Sequence, residues 1–423
     1  MRILLAGQTY DPPVNGPGVF SRQLAEGFVR EGHQVLVLTP SPRLRAVGRL
    51  QHGVQIEGVP ALPLFPPYSD VRVSLLSGPW VGRLLDRFRP DVVHLQDHYP
   101  LCRSVLAAAR RRDAPVLATN HFLPENMLPY IPLPEWCRPR IEGLLWKTAL
   151  DVLNRADLVT APSRTAAEIL RERGLRVEVR VVSCGVDVQR FAPDPGVDRR
   201  GVRRRYGLDP EATLFLYVGR LDREKRVEIL LHALTRLDRG DLQLAVVGQG
   251  RHRTALLALA VRLGLARRVA FLGYVPGGDL PALLSSADVF AMPSDAELLS
   301  IATLEAMASG RPILAADARA LPELVRPGVN GILFRPGDIE SAARGIAALA
   351  DHREGWARMG AASRARALPH DCRETRRRYL ELYGSLRRSV GGGPPSPSPD
   401  RNDPEAPKVP NLWGSENAYV DVP

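Results

Sequence analysis

Two doubly wound α/β domains in series, facing each other across a cleft, are the architecture that this sequence predicts. Three observations carry that reading. Short apolar runs alternate with amphipathic stretches almost throughout, a Pro-, Gly- and Asp-rich break interrupts them near the middle, and 423 residues are too many for one ordinary core. In the first half the strand candidates are "RILLA", "QVLVL", "VQIEGV", "DVVHL", "PVLAT", "DLVTA" and "EVRVVS", with helices such as Phe20 to Arg30 and Leu101 to Arg112 between them. The break is "CGVDVQRFAPDPGVDRRG", Cys184 to Gly201, and it reads as a linker. A second series follows in "TLFLYVG", "LQLAVVG", "VAFLG", "VFAMP", "PILAA" and "NGILF". Arg353 to Arg388 reads as two closing helices interrupted near Pro369. The expected division is a first domain over residues 1–185, a second over 186–372, a closing helix over 373–389 that returns to the first domain, and a tail over 390–423. Rich in Pro, Gly and Ser, that tail has too little apolar surface to order itself and is expected to be disordered, with "NLWGSENAYV" at its end.

The composition, 45% hydrophobic and 24% charged, is that of a soluble globular protein. Of 57 basic residues only Lys147, Lys225 and Lys408 are lysine. The net charge is +11, and since the tail itself is acidic the body is more basic still. Such a field favours an anionic partner: a nucleotide diphosphate, an acidic lipid surface or nucleic acid. Cys102, Cys137, Cys184 and Cys372 have no metal-ligand spacing and are expected to be small core residues in a reducing compartment. The start, "MRILLAGQTYDPP", lacks a basic n-region and reads as a buried first strand. No run approaches the ~18 apolar residues of a membrane span. The expected location is therefore cytoplasmic, free or on the cytoplasmic face of a membrane.

In open parallel sheets ligands bind beyond the carboxyl ends of the strands, so those loops hold the candidate chemistry. After the first strand, Gly16 and Gly18 precede a helix, where backbone N–H groups can approach a phosphate; a flexible turn explains the same glycines. After the first strand of the second domain comes "VGRLDREKR". Gly219 permits close approach, and Arg220 and Lys225 set a forked guanidinium and a compact ammonium around one turn, as a diphosphate requires. "SDAELLSIATLEAMASG" then gives a helix capped by Ser300 and ended by Gly310, with Glu305 on its second turn and Glu297 in the loop before it. Carboxylates that flank a phosphate site repel phosphate, so they are expected to read hydroxyl groups, one of a sugar and the other of a ribose. A diphosphate cradle alongside argues for group transfer and against a paired-carboxylate hydrolase. His121 ends a first-domain strand and faces the cleft.

As an ordered set, "VGRLDREKR", the Glu-x7-Glu segment, "EAMASGRPILAAD", "REGHQVLVLTP", "CGVDVQRFAPD" and "PELVRPGVNGILFRPGD" resemble the GT-B glycosyltransferases of family four, retaining enzymes that use nucleotide sugars. The resemblance covers residues 1 to 388 and implies roles. Arg220 and Lys225 would hold the donor diphosphate, Glu305 the ribose hydroxyls and Glu297 those of the transferred sugar. His121 would meet the sugar from the acceptor side, and Gly16 and Gly18 would shape the phosphate-facing loop. It implies no metal, no cofactor beyond the nucleotide-sugar co-substrate, no nucleic-acid partner and no enzymatic nucleophile. Two departures stand out: Ser300 replaces the family's usual glycine, where its hydroxyl either adds a phosphate contact or crowds it, and the first-loop glycine pair is split as "GPG".

The branch most resembled glycosylates lipids such as diacylglycerol. Trp136 to Val152 combines Trp136 and Trp146 with Arg138, Arg140 and Lys147, which fits an interfacial helix on an anionic membrane and equally an ordinary packing helix. The expected function is transfer of a hexose, glucose from UDP-glucose, to a lipid hydroxyl. The alternatives are a sugar-nucleotide epimerase on the same fold, a GDP-mannose-dependent mannosyltransferase and an idle binding protein.

Overall fold

A computed structural model describes residues 1–10, 15–41, 46–63, 72–74, 77–128 and 134–390. Of the expected disordered tail, residues 390–423, Val390 ends the last helix and the rest, with "NLWGSENAYV", lies outside the described residues. In the first domain the strands are β1 (Arg2–Ala6), β2 (Gln34–Pro40), β3 (Val47–Gln51), β4 (Val54–Val59), the short pair β5 (Leu62–Pro63) and β6 (Arg72–Val73), β7 (Val92–Leu95), β8 (Val116–Thr119), β9 (Leu158–Ala161) and β10 (Val179–Val181). Eight of them form one sheet in the order β10-β9-β8-β7-β1-β2-β4-β3, parallel except for β3. The second domain contains β11 (Thr213–Val218), β12 (Leu242–Val247), β13 (Val269–Gly273), β14 (Val289–Met292), β15 (Ile313–Ala316) and β16 (Gly331–Phe334), parallel in the order β13-β12-β11-β14-β15-β16.

Most of these strands are apolar runs because helices cover both faces of each sheet; β7, β9 and β12 are buried along their whole length. The sequence reading misses β3, "VGRLQ", a half-exposed antiparallel edge strand without a continuous apolar run. Each sheet reverses its strand order once, between β1 and β7 in the first domain and between β11 and β14 in the second. At such a reversal the flanking loops diverge and leave a crevice, which makes these two points the natural ligand sites.

The chain crosses between domains twice, and the crossings touch: Val186 N–H donates to the His370 carbonyl (2.8 Å) and Cys372 N–H to that of Val186 (2.9 Å). Pro369 sits in the short turn Leu368–His370, between the helices Trp356–Ala367 and Cys372–Val390. The last helix lies on the first domain, where Tyr379 and Tyr383 are fully buried. The Tyr383 hydroxyl meets His94 Nδ1 at 2.6 Å, and Tyr379 Oη lies 3.2 Å and 3.1 Å from the hydroxyls of Thr119 and Thr160. Other contacts join the domains directly. Ala296 and Leu298 of the second domain are buried in the first domain's core, Glu323 accepts the N–H groups of Arg164 and Thr165 (3.1 and 2.7 Å), and Arg319 pairs with Glu125 at 2.6 Å. All four cysteines are free; Cys102 and Cys184 are core residues, whereas Cys137 and Cys372 are only half-buried.

Candidate functional site

The second-domain switch point brings together the loops after β11 and β14. Gly219 begins the first loop, and a Cβ there would lie 2.7 Å from the Tyr217 hydroxyl. That hydroxyl donates to the Arg220 carbonyl at 2.7 Å, so the glycine and the buried tyrosine set the turn together. The neighbouring loop after β12 is just as close, since a Cβ on Gly248 would stand 1.9 Å from the Gly219 carbonyl oxygen. Its backbone ties down the cradle: Arg251 N–H donates to Asp222 (3.1 Å), and the Gln249 carbonyl accepts Leu221 N–H (2.8 Å).

Arg220 is held as a fork, by Asp222 on one side and by Glu224 at 2.8 Å on the other. The Glu224 side chain is only 2% exposed, and burial raises its pKa while Arg220 opposes that rise. Lys225 points to the other loop, where its Nζ lies 2.7 Å from Glu297 Oε1. Ser294 joins the same loops by donating its hydroxyl to the Glu224 carbonyl at 3.1 Å. The two cations thus already have carboxylate partners, and an entering diphosphate would share or displace them.

The helix expected beyond Glu297 forms at Ile301–Ala308, capped by Ser300 and ended by Ser309, with Gly310 at φ +69°. Ser300 Oγ accepts from Thr303 N–H (3.2 Å) and from the Thr303 hydroxyl (2.8 Å), so its own hydroxyl hydrogen is what remains to offer an anion. Glu305 is half-buried on this helix, and its carboxylate makes no hydrogen bond to another described residue. Burial pushes its pKa up to about 7, against a smaller opposing pull from Arg190.

Gly16 and Gly18 do not precede the first helix but lie in its first turn, because Asn15 caps it one residue earlier (Gly16–Arg30) and accepts Gly18 N–H at 2.9 Å. The helix start faces the other domain, and a Cβ on Gly16 would meet Ile301 Cδ1 at 3.8 Å. His121 follows β8 in the loop beside the β1/β7 switch point. Its Nε2 lies 3.2 Å from Gln96 Oε1, its ring centroid is 5.0 Å from that of Phe20, and burial lowers its pKa to about 4.

Six predicted residues therefore gather at one end of the second domain (Gly219, Arg220, Lys225, Glu297, Ser300 and Glu305). Gly16, Gly18 and His121 lie on the first-domain side. Sequence reasoning missed Asp222, Glu224, Tyr217 and Gln96. The first two were legible, since Asp222 and Glu224 sit inside "RLDREK" and Glu224 is four residues beyond Arg220. No sequence signal marks Gln96. The helix Arg138–Leu153 buries Trp146 under the guanidinium of Arg173 (5.4 Å to the ring) and against Phe122, while Trp136 and Leu144 are 71% and 54% exposed beside exposed Arg138, Arg140 and Lys147. No helix among the described residues is long and apolar enough to cross a membrane, and they contain no cluster of three or more potential metal ligands.

Two facing Rossmann-like domains, with two cations and two carboxylates gathered at one switch point, have the architecture of GT-B glycosyltransferases, which draw on nucleotide-sugar donors. Two family descriptions match in succession, Glycosyltransferase Family 4 over residues 14–190 and Glycosyl transferases group 1 over residues 198–366. The chain is 30% identical to a GDP-mannose-dependent alpha-mannosyltransferase of Mycolicibacterium smegmatis, across 92% of this chain and 99% of that protein. It is 28% identical to a sulfoquinovosyl transferase of Arabidopsis thaliana (82% of this chain, 66% of that protein). Identity to an alpha-monoglucosyldiacylglycerol synthase of Streptococcus pneumoniae is 26% (79% of this chain, 75% of that protein). Among solved structures, the Anabaena protein HepE, determined with UDP-glucose, superposes with a TM-score of 0.74 at 22% identity, over 91% of this chain and all of that one. The chain belongs to glycosyltransferase family 4.

Proposed function

We propose that the protein transfers glucose from UDP-glucose to a hydroxyl of a membrane lipid with retention of anomeric configuration, on the cytoplasmic face and without a metal. The observation that carries the reading is the β11/β14 switch point, where Arg220 and Lys225 stand beside a helix N-terminus and Glu305 is raised toward neutrality. In the reaction the bond between the sugar's anomeric carbon and the phosphate oxygen breaks. A bond to the acceptor oxygen forms on the same face, and the acceptor's proton passes to the departing phosphate. Arg220 and Lys225 offset the charge that develops on that phosphate. Glu305 binds the ribose hydroxyls and Glu297 those of the glucose, releasing or sharing Lys225 as the diphosphate arrives. Support for a lipid acceptor comes from the relative named as a glucosyldiacylglycerol synthase and from the exposed Trp136, Leu144 and basic residues of the first domain. The mannosyltransferase relative, matched over nearly its full length, supports GDP-mannose as the second donor to try.

The test is incubation with UDP-glucose, other UDP-sugars and GDP-mannose, each with a lipid extract. Free UDP together with a new glucolipid is the expected result. Free GDP with a mannolipid would move the donor to the second reading. Isomerised sugar nucleotide would establish an epimerase, and donor binding without turnover an idle binder; either overturns the proposal.

A further inference from the structure

Gln96 occupies the junction of the β1 and β7 loops, at the first domain's switch point. The contact is close, for a Cβ on Gly7 would sit 2.9 Å from Gln96 Cβ. Gln96 is 4% exposed, and only half of its amide is used. Its Oε1 faces His121 Nε2 at 3.2 Å, while its Nε2 has no hydrogen-bond partner among the described residues. Buried amide donors are rarely left unpaired, and this one sits at the first-domain switch point, where a ligand atom would complete it.

The used half determines the state of His121. A carbonyl oxygen only accepts, so with Oε1 as its neighbour His121 would carry its ring proton on Nε2 and keep the Nδ1 lone pair free. The groups around it leave the ring neutral. His94, on β7, is itself held neutral by burial and engaged at both nitrogens by Tyr383 and Thr119. Asp97, next to Gln96, accepts the N–H groups of Gln8 and Tyr99, and burial raises its pKa. Phe20 covers the ring at 5.0 Å. The pair therefore presents one uncharged acceptor, His121 Nδ1, and one uncharged donor, the Gln96 amide.

We infer that Gln96 both positions His121 and binds the transferred hexose, one sugar hydroxyl donating to His121 Nδ1 and another accepting from Gln96 Nε2. The inference rests on the glycosyl-transfer reading above. A neutral donor–acceptor pair suits adjacent hydroxyls, each of which can donate or accept, whereas a cation there would compete for the phosphates.

The experiment uses the full chain labelled with ¹⁵N at its histidine rings, with His121 assigned by comparison with His121→Ala. Wild-type His121 is expected to be the Nε2–H tautomer, unprotonated down to about pH 5. Gln96→Leu should release it to a mixture of tautomers. Gln96→Glu keeps the shape but sets a carboxylate against the ring, so His121 should protonate at a higher pH. In transfer assays Gln96→Leu should lose at least about tenfold in rate with UDP affinity unchanged, and Gln96→Glu should add an acidic limb to the pH–rate profile. A wild-type Nδ1–H tautomer, or a His121 spectrum unchanged by both substitutions, overturns the inference. If Gln96→Leu fails to fold, shown by lost UDP binding, the isosteric Gln96→Glu decides alone. The ring spectra need no turnover, so a wild-type protein that transfers no sugar would sink the proposed function and leave this test standing.

Discussion

The two switch points face each other and are built from opposite materials. At β11/β14, Arg220, Asp222, Glu224, Lys225 and Glu297 pack five charges into two loops, cross-linked by Tyr217, Ser294 and backbone amides. At β1/β7 the groups turned toward one another are an amide and a neutral imidazole, Gln96 and His121, with Asp97 pinned by backbone N–H groups. The charged side suits phosphates and a leaving group that gains charge. The neutral side can pair with sugar hydroxyls without competing for the phosphates. On the proposed reading, binding of nucleotide and handling of sugar are separable properties, and substitutions at the site should move one more than the other.

The largest effect is expected at the charged side. Arg220→Ala removes the donor proposed for the departing phosphate and should slow transfer by roughly 10²–10³-fold, as loss of a single preorganised donor does elsewhere. Initial rates at saturating UDP-glucose measure it. A loss confined to KM would mean that Arg220 only binds the ground state.

Next comes Glu305, whose carboxyl is raised to about 7 by burial. In the unfolded chain it ionises near the ordinary value, about 4.3. The unfolded state thus loses its proton first as pH rises, and the folded protein loses stability between that value and about 7. Glu305→Gln removes the burden and should raise Tm at pH 8 with little change at pH 4. It should also weaken UDP-glucose binding at pH 8 by roughly fivefold to tenfold, since a charge-assisted hydrogen bond becomes a neutral one. Wild-type affinity should fall as pH drops below about 7, because only the carboxylate accepts both ribose hydroxyls. A flat profile in wild type would remove Glu305 from the ribose.

The smallest effect belongs to neither switch point. Trp136 is largely exposed on the first domain, so Trp136→Ser should leave UDP binding and soluble-acceptor rates unchanged. Flotation with anionic vesicles should weaken severalfold and fall further with added salt. Equal flotation of wild type with neutral vesicles, or none with either, would count against a lipid surface as partner.

How much of this was legible follows from the same contrast. Buried parallel strands announce themselves as apolar runs, which is why β7, β9 and β12 could be read and the half-exposed edge strand β3 could not. Arg220 and Lys225 stood out as charge in a glycine turn. Their partners are partly local, as with Glu224, and partly distant, as with Glu297, which lies 72 residues beyond Lys225 and is brought to it only by the β11–β14 pairing. Gln96 carries neither charge nor periodicity, and its significance depends on an unpaired amide that exists only once β1 and β7 are side by side. The helix start at Gly16 was misplaced because Asn15, and not the glycines, supplies the cap.

The most direct test of the division between nucleotide-holding and sugar-holding residues is calorimetry with UDP on four variants, Glu305→Ala, Glu297→Ala, His121→Ala and Gln96→Glu, beside initial rates of transfer. Glu305→Ala should weaken UDP by at least about tenfold, while the other three keep UDP affinity near wild type and lose transfer. If Glu297→Ala, His121→Ala or Gln96→Glu weakens UDP as much as Glu305→Ala does, nucleotide and sugar are not held by separate residues, and the account is wrong.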